Sequence, residues 1–474
     1  MAKRKGALFP PYHGNENHPR VRKPEAGTTR STLALIMGFL ACVAVVQLLL
    51  SGKAWSYSAE GTSLVLALPE LPDNFRDWAQ YSPWYAVEEY VTPPQGCSVT
   101  QVNIIQRHGA RYPTSGAAQR LTSALAKLQS VQTYTDPSLR FLKMFKYDLG
   151  TDDLVGLGAT QSFEAGQAVY QRYAGLVNES SIPFVRASGS TRVVDSASNW
   201  TAGFAHANGG LYAPKVSVII DESLNDTLDD AMCPKAGSND AQTDAWLSVF
   251  APNITARLNA GAPGANLTDV DTYNIMTLCP FESVAKENTS AFCRLFTDEE
   301  FAGFEYMGDL DKYYGTGYGQ PLGPVQGVGY INELLARLTG QPVQDHTQTN
   351  STLDSSRATF PLDRTIYADF SHDNEMVAIF AAMGLFKQSA PLDPRQPDPD
   401  RTWLTTHIVP FSARMAVERL ACVGQEHVRI LVNDAVQPLE FCGDGTGLCE
   451  LGRFVESQAY ARSDGEGDFE KCFN

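Results

Sequence analysis

The stretch Val99-Thr100-Gln101-Val102-Asn103-Ile104-Ile105-Gln106-Arg107-His108-Gly109-Ala110-Arg111-Tyr112-Pro113 decides how this chain is read. Its first seven residues are rich in β-branched side chains and partly alternate, which describes a strand. Beyond it, residues 118–128 carry helical periodicity, with Ser115 and Gly116 as starters. Arg107, His108 and Arg111 are therefore expected at the carboxyl end of a strand, in a strand–loop–helix unit, where open α/β sheets place their ligands. One imidazole between two guanidiniums suits nucleophilic attack on a phosphorus whose oxygens the guanidiniums hold in a fixed plane. A charged surface turn is the plainer reading of the same residues, and the rest of the chain has to choose between them.

A second stretch repeats the pattern. Residues 364–370 read as a strand that runs into Ser371-His372-Asp373-Asn374, and a helix over 375–383 stops at Gly384. Between the two stretches, residues 182–193 read as a strand, a small-residue loop and a helix beginning near Arg192, and 215–220 as a buried strand. Residues 152–173 form a Gly-rich start and a helix with Phe163, Tyr170 and Tyr173 on one face. Over 221–311 the strand signal fades. Helical stretches around 241–250, 268–278 and 298–306 predict a smaller, mostly helical inserted domain. Residues 324–338 are a well-patterned helix with Gly340 as its stop, and 415–420 with 428–432 suggest a late pair of strands. The expected fold class is α/β: a large domain over 96–474 with a central mixed sheet flanked by helices, carrying the helical insertion.

With 474 residues and 43% hydrophobic side chains, the chain can bury a large core. The net charge of −16 hides a split: residues 1–50 hold seven basic and two acidic residues, leaving −21 on the remainder. So acidic a body argues against nucleic acid as a partner but not against a phosphate ester in a locally basic pocket. Histidines 13, 18, 206, 346, 407 and 427 show no metal-ligand spacing, no Cys-x-x-Cys occurs, and no Walker-type phosphate loop is present. Neither a metal nor a cofactor is expected.

Residues 1–32 read as a basic, disordered cytosolic tail. Residues 33–50 contain no charge and span roughly 27 Å as a helix, enough for a hydrocarbon core. A signal anchor fits better than a cleaved signal peptide, because the preceding segment is long and Ser51-Gly52-Lys53-Ala54 is a poor cleavage site. A single N-terminal transmembrane helix with the basic side in the cytosol makes a type II membrane protein of the secretory pathway or cell surface, its body luminal or extracellular; secretion after cleavage is the alternative. Residues 51–95 read as a proline-punctuated stem whose aromatics could pack on the body. Sequons at Asn178, Asn199, Asn225, Asn253, Asn266, Asn288 and Asn350 all follow the apolar segment and predict a glycoprotein. Eight cysteines besides Cys42 are an even set for an oxidising compartment.

Arg-His-Gly-x-Arg-x-Pro after an apolar strand, an arginine after a mid-chain small-residue loop, and a distal His-Asp occur here in that order. The chain resembles the histidine acid phosphatases, with their phosphoglycerate-mutase-like fold, and is most similar to their fungal phytase branch from about residue 80 to 474. The residues that carry the likeness are 106–114, 183–193, 321–338, 353–355 with 359–362, and 367–374. The resemblance implies that His108 is the nucleophile and forms a phosphohistidine. It implies that Arg107, Arg111, Arg192 and His372 bind the phosphoryl oxygens and that Asp373 protonates the leaving oxygen. Arg186 rivals Arg192; Arg192 is preferred because the family places its arginine after the small-residue loop. The resemblance also implies the disulfides Cys97–Cys422, Cys233–Cys472, Cys279–Cys293 and Cys442–Cys449.

The expected activity is hydrolysis of phosphate monoesters at acidic pH, with phytate or lower inositol phosphates as substrate. A broad-specificity acid phosphatase is the alternative, a catalytically silent surface glycoprotein of the same fold a further one, and a mutase a weaker one. Two departures stand out. The extra amino-terminal bridge of secreted fungal phytases has no counterpart. Lysines often set around the pocket in that branch are also missing: Ser115-Gly116-Ala117-Ala118-Gln119-Arg120 follows the first motif, and Asp311-Lys312 precedes Tyr313-Tyr314, while Lys143 remains.

Overall fold

The structure, a computed structural model, describes residues 71–443 and 445–474. The tail expected over 1–32, the apolar segment 33–50 and the first part of the stem, 51–70, lie outside the described residues. Among the described residues no helix is long and apolar enough to cross a membrane.

In chain order the main elements are β1 (Cys97–Arg107), α1 (Ser115–Gln129), α2 (Gly156–Tyr173), β2 (Phe184–Ser188), α3 (Thr191–Ala207), β3 (Val216–Ile220), α4 (Asp240–Gly261), α5 (Asp269–Lys286), α6 (Asp298–Gly315), α7 (Val328–Thr339), β4 (Ile366–Ser371), α8 (Asp373–Met383), β5 (Arg414–Cys422), β6 (Gln425–Val432), β7 (Ala435–Val436) and β8 (Cys449–Glu450). The strands form one sheet in the order β3-β2-β4-β1-β5-β6-β7, with β8 also paired to β6. β3, β2, β4 and β1 run parallel, whereas β5 and β6 are antiparallel, so the sheet is mixed as expected. The late strands are a hairpin: Val423 and Gly424, both at positive φ, form the two-residue turn that a right-twisted strand pair favours.

Each central strand is buried on both faces and feeds two cores. Val102 and Ile104 of β1, Val185 of β2 and Ala368 of β4 pack under α2 and α3, around Trp200 and Phe204. Ile105, Phe184 and Tyr367, one residue out of phase, face α7 and α8 through Tyr330, Ile331, Val377 and Phe380. All four disulfides implied by the resemblance are present. Cys97 and Cys422 sit opposite one another in the β1–β5 ladder.

The helices expected over 221–311 exist, and each is longer than its pattern predicts. The first two expected ends, at 250 and 278, fall two residues before Pro252 and Pro280, which the structure accommodates inside α4 and α5. A proline removes one backbone hydrogen bond and crowds the preceding turn. Burial of Ile254 and Leu258 past the first, and of Phe281 and Val284 past the second, sustains the helix beyond it. Thr268 and Thr297 start α5 and α6 as capping boxes with Asp271 and Glu300. This helical layer shares one core with α1 through Leu121, Leu125 and Leu128, so the layer draws on residues well outside 221–311.

The later half of the expected stem is structural. Trp78, Ala79, Trp84 and Tyr85 are buried, and Glu305 of α6 accepts the backbone N–H groups of both Ala79 and Thr406.

Candidate active site

The parallel half of the sheet sets the site. Arg107 pairs with Ser371 across β1 and β4, Ala187 with Phe370 across β2 and β4, and Ser188 with Ile220 across β2 and β3. The carboxyl ends of all four strands therefore align. They place His108, His372, the start of α3 with Arg192, and Glu222 along one edge of the sheet.

Glycine in the first motif has a steric cause. A Cβ on Gly109 would lie 2.4 Å from the carbonyl oxygen of Gly158, and one on Gly158 would lie 2.1 Å from that of Ala110. The motif loop and the first turn of α2 thus meet backbone to backbone. Buried Ser196 ties the loop to α3, accepting from the Gly109 amide (2.9 Å) and donating to the carbonyl of Arg192 (2.7 Å).

His108 is almost wholly buried, with its Nδ1 2.9 Å from the Gly109 carbonyl. That oxygen can only accept, so Nδ1 carries the proton and Nε2 keeps its lone pair. Burial, then the charges of Arg107 and Arg111 and the neighbouring His372 and Arg192, hold its pKa well below the ordinary imidazole value. The ring is neutral and nucleophilic.

Arg107 is fully buried. Its Nη1 donates to the carbonyls of Gln80 (2.5 Å) and Val409 (2.7 Å), and its guanidinium stacks 4.6 Å from the Phe411 ring centroid. Its Nη2 lies 3.2 Å from Asp373 Oδ2 as an ion pair without hydrogen-bond alignment. Among the described residues, Nε of Arg107, of Arg111 and of Arg192 finds no hydrogen-bond partner. Burial lowers the pKa of Arg107 to about 10 and that of Arg111 in the same direction, leaving both cationic. Buried donors without acceptors are costly, and a bound oxyanion supplies what they lack.

His372 is the N-cap of α8 and Asp373 its first residue. The two histidine rings lie 5.7 Å apart. Burial would raise the Asp373 carboxyl, but Arg107 and Lys312 override it and hold the pKa well below the usual carboxylate range. The structure thus brings together Arg107, His108, Arg111, Arg192, His372 and Asp373. It sends Arg186 elsewhere, into ion pairs with Glu333 and Asp369 (2.8 Å to the latter). Lys143 donates to the Gln132 carbonyl over the Tyr134 ring.

Sequence reasoning missed two site residues. Lys312, on α6, is buried with its Nζ 3.0 Å from Asp373 Oδ2 and 2.8 Å from Asn374 Oδ1; it stays an ammonium because Asp373 and Asp311 outweigh the burial that would lower its pKa. Its only sequence signal was its place beside Tyr313. Glu222 lies 3.0 Å from His372 Nε2 and had no signal at all. With Asp229, Glu222 and His372 have ligand atoms within 4.8 Å of one another, a donor set that could take a metal ion. The His372 Nδ1 beside Arg192 and the Glu222 oxygen already shared by two serines fit a hydrogen-bonded role for these groups better.

Known proteins bear on this geometry. A family model described as the histidine phosphatase superfamily (branch 2) matches residues 98–433. The chain is 42% identical over 422 residues to Phytase A of Aspergillus fumigatus, covering 84% of this chain and 90% of that protein. It is 40% identical to Phytase A of Aspergillus oryzae over the same length and shares. Among solved structures, the phytase from D. castellii superposes with a TM-score of 0.70 at 25% identity, covering 85% of this chain and 87% of the other.

Proposed function

The chain belongs to the histidine phosphatase superfamily (branch 2) and is a phosphatase, and from this premise we propose that it hydrolyses phytate and lower inositol phosphates through a phosphohistidine. His108 Nε2 attacks the phosphorus in line with the ester oxygen. Arg107, Arg111, Arg192 and His372 hold the non-bridging oxygens as charge spreads over them. Asp373 gives its proton to the leaving oxygen as the P–O bond breaks and the N–P bond forms. Water then attacks the phosphohistidine, Asp373 takes back a proton, and phosphate and neutral His108 are released.

The observation that carries this reading is a neutral, buried imidazole ringed by guanidiniums whose donors lack acceptors. Asp373 must begin the cycle protonated, although Arg107 and Lys312 favour its charged form. The incoming phosphate dianion offsets those cations and raises the carboxyl again. Activity is accordingly expected on the acid side of neutrality.

Phosphate release from phytate and from a simple aryl phosphate, measured with the full chain between about pH 3 and pH 8 beside His108→Ala, tests the proposal. Turnover of phytate with an inactive variant supports it. Turnover of the aryl phosphate alone makes this a general acid phosphatase, and equal activity in the variant removes the phosphohistidine.

The four disulfides suit an oxidising compartment. We further propose that residues 33–50 anchor the chain and that the sequons are used. Asn178, Asn225, Asn253, Asn266 and Asn288 are exposed, while Asn199 and Asn350 are half-buried. Retention of the protein in membranes after alkaline extraction, and a mass shift on glycosidase treatment, check these two points.

A further inference from the structure

Three elements share one carboxylate oxygen at the edge of the phosphate site. Glu222 follows β3 by two residues. Its Oε1 accepts from Ser188 Oγ (3.1 Å), from the backbone N–H of Ser190 (2.9 Å) and from His372 Nε2 (3.0 Å). Ser188 ends β2, Ser190 is the N-cap of α3, which carries Arg192, and His372 is the N-cap of α8, which carries Asp373. On the other side of the His372 ring, Arg192 Nη2 lies 3.4 Å from Nδ1.

We propose that Glu222 is the positioning residue of the phosphate site: through the three hydrogen bonds that its one carboxylate oxygen accepts, it fixes the His372 imidazole against the start of α3, so that His372 and Arg192 are set side by side at the phosphoryl oxygens. The proposal rests on the phosphatase reading above and adds to it what orients the His372 ring.

Three acids lie at the ring. Glu222 is 3.0 Å and Asp229 3.9 Å from His372 Nε2, and Asp230 is next along the chain. These three acids are not equivalent. Burial lifts the Asp229 carboxyl to about 6 and raises that of Asp230 as well, so both lose charge as the medium turns acid. The hydrogen bond from His372, helped by Ser188 and Ser190, pulls Glu222 down to about 2. Through the acid range in which the enzyme is expected to work, Glu222 is the acid that stays ionised beside His372.

The test is Glu222→Gln in the full chain, which keeps the side-chain shape and an acceptor oxygen but removes the charge. Inhibition by inorganic phosphate and KM for an aryl phosphate should each weaken by about tenfold or more, the loss typical of a charge-assisted hydrogen bond. kcat at saturating substrate should change less than KM, since His108 and Asp373 keep their places. Glu222→Asp keeps the charge and should recover phosphate affinity; it also carries the test should the glutamine variant fold poorly. Unchanged phosphate inhibition and an unchanged KM in Glu222→Gln would overturn the proposal, as would a Glu222→Asp variant as weak as Glu222→Gln. His108→Ala, run in parallel, separates the two ideas: if it stays active the phosphohistidine reading fails, whereas a dead His108→Ala beside an unaltered Glu222→Gln rejects the positioning role alone.

Discussion

Arg186 and Arg192 are six residues apart, one at the middle of β2 and the other at the start of α3, and they belong to opposite kinds of charge cluster. Arg186 sits in a balanced one. It makes four hydrogen bonds, two to Glu333 and two to Asp369, and Arg337 adds two more to Asp369, at 2.6 and 3.3 Å. Two guanidiniums thus face two carboxylates, all of them buried. Arg192 sits in an unbalanced cluster: with Arg107, Arg111 and Lys312 it surrounds Asp373 and two histidines, and several of its donors are unpaired. A charge-balanced cluster offers an anion no net positive charge, so it holds the fold together. An open one is incomplete until an anion arrives, which is what a phosphate site must be.

The largest expected effect breaks the balanced cluster. Asp369→Ala leaves two buried arginines short of their shared partner and should cost about 3–5 kcal/mol of stability, seen as a collapse of the melting temperature with activity lost only through unfolding. Arg192→Ala should do the reverse. We expect kcat/KM to fall by about a hundredfold to a thousandfold, with phosphate no longer raising the melting temperature and the ligand-free melt near that of the wild type. If the two variants lost stability equally, the contrast between the clusters would be wrong.

Lys312→Met sharpens the open side. Lys312 holds Asp373 in its charged form, so its removal raises the Asp373 pKa and keeps the acid protonated to higher pH. The basic limb of kcat should move up in pH. The smallest effect concerns Glu375, fully buried in the first turn of α8 with no partner for either oxygen among the described residues. Burial and the nearby Asp230, Asp229 and Asp226 push its pKa well above the ordinary value. The folded state therefore keeps a proton that the unfolded chain releases, and stability falls as pH rises past the unfolded value of about 4.3. Glu375→Gln escapes that loss and should be more stable than wild type by about 1 kcal/mol near neutrality, with little gain near pH 4, in paired thermal melts.

Much of this contrast was legible beforehand, and for identifiable reasons. β1 is rich in β-branched residues, β2 and β4 are short runs with mostly apolar side chains, and each ends in a polar residue, so strand and site were read from the same stretch. Arg192 was separated from Arg186 by the small-residue loop between them, and the structure gives the physical counterpart: residue 186 lies inside a strand buried on both faces, residue 192 on a helix that starts at the sheet edge. The helix ends expected at 250 and 278 fall short of the observed ones, because tertiary burial carries both helices on past Pro252 and Pro280. The packing of Trp78, Ala79 and Gln80 against α6 was only allowed for, since nothing local tells a packed strap from a loose stem.

What the sequence by itself determined is what depends on near neighbours in the chain: the strand–motif–helix units, the capping boxes, the two chemical stretches and the residue types that suit a phosphoryl group. The tertiary structure alone decided what depends on distance through space. The Gln80 carbonyl reaches Arg107 from 27 residues away, Lys312 reaches Asn374 beside Asp373 from 62, and Glu222 reaches His372 from 150. A charge is felt over a few ångströms whatever the separation along the chain. The pKa of His108 and of Asp373, and with them the division of labour in the site, therefore exist only once the strand ends have been brought side by side.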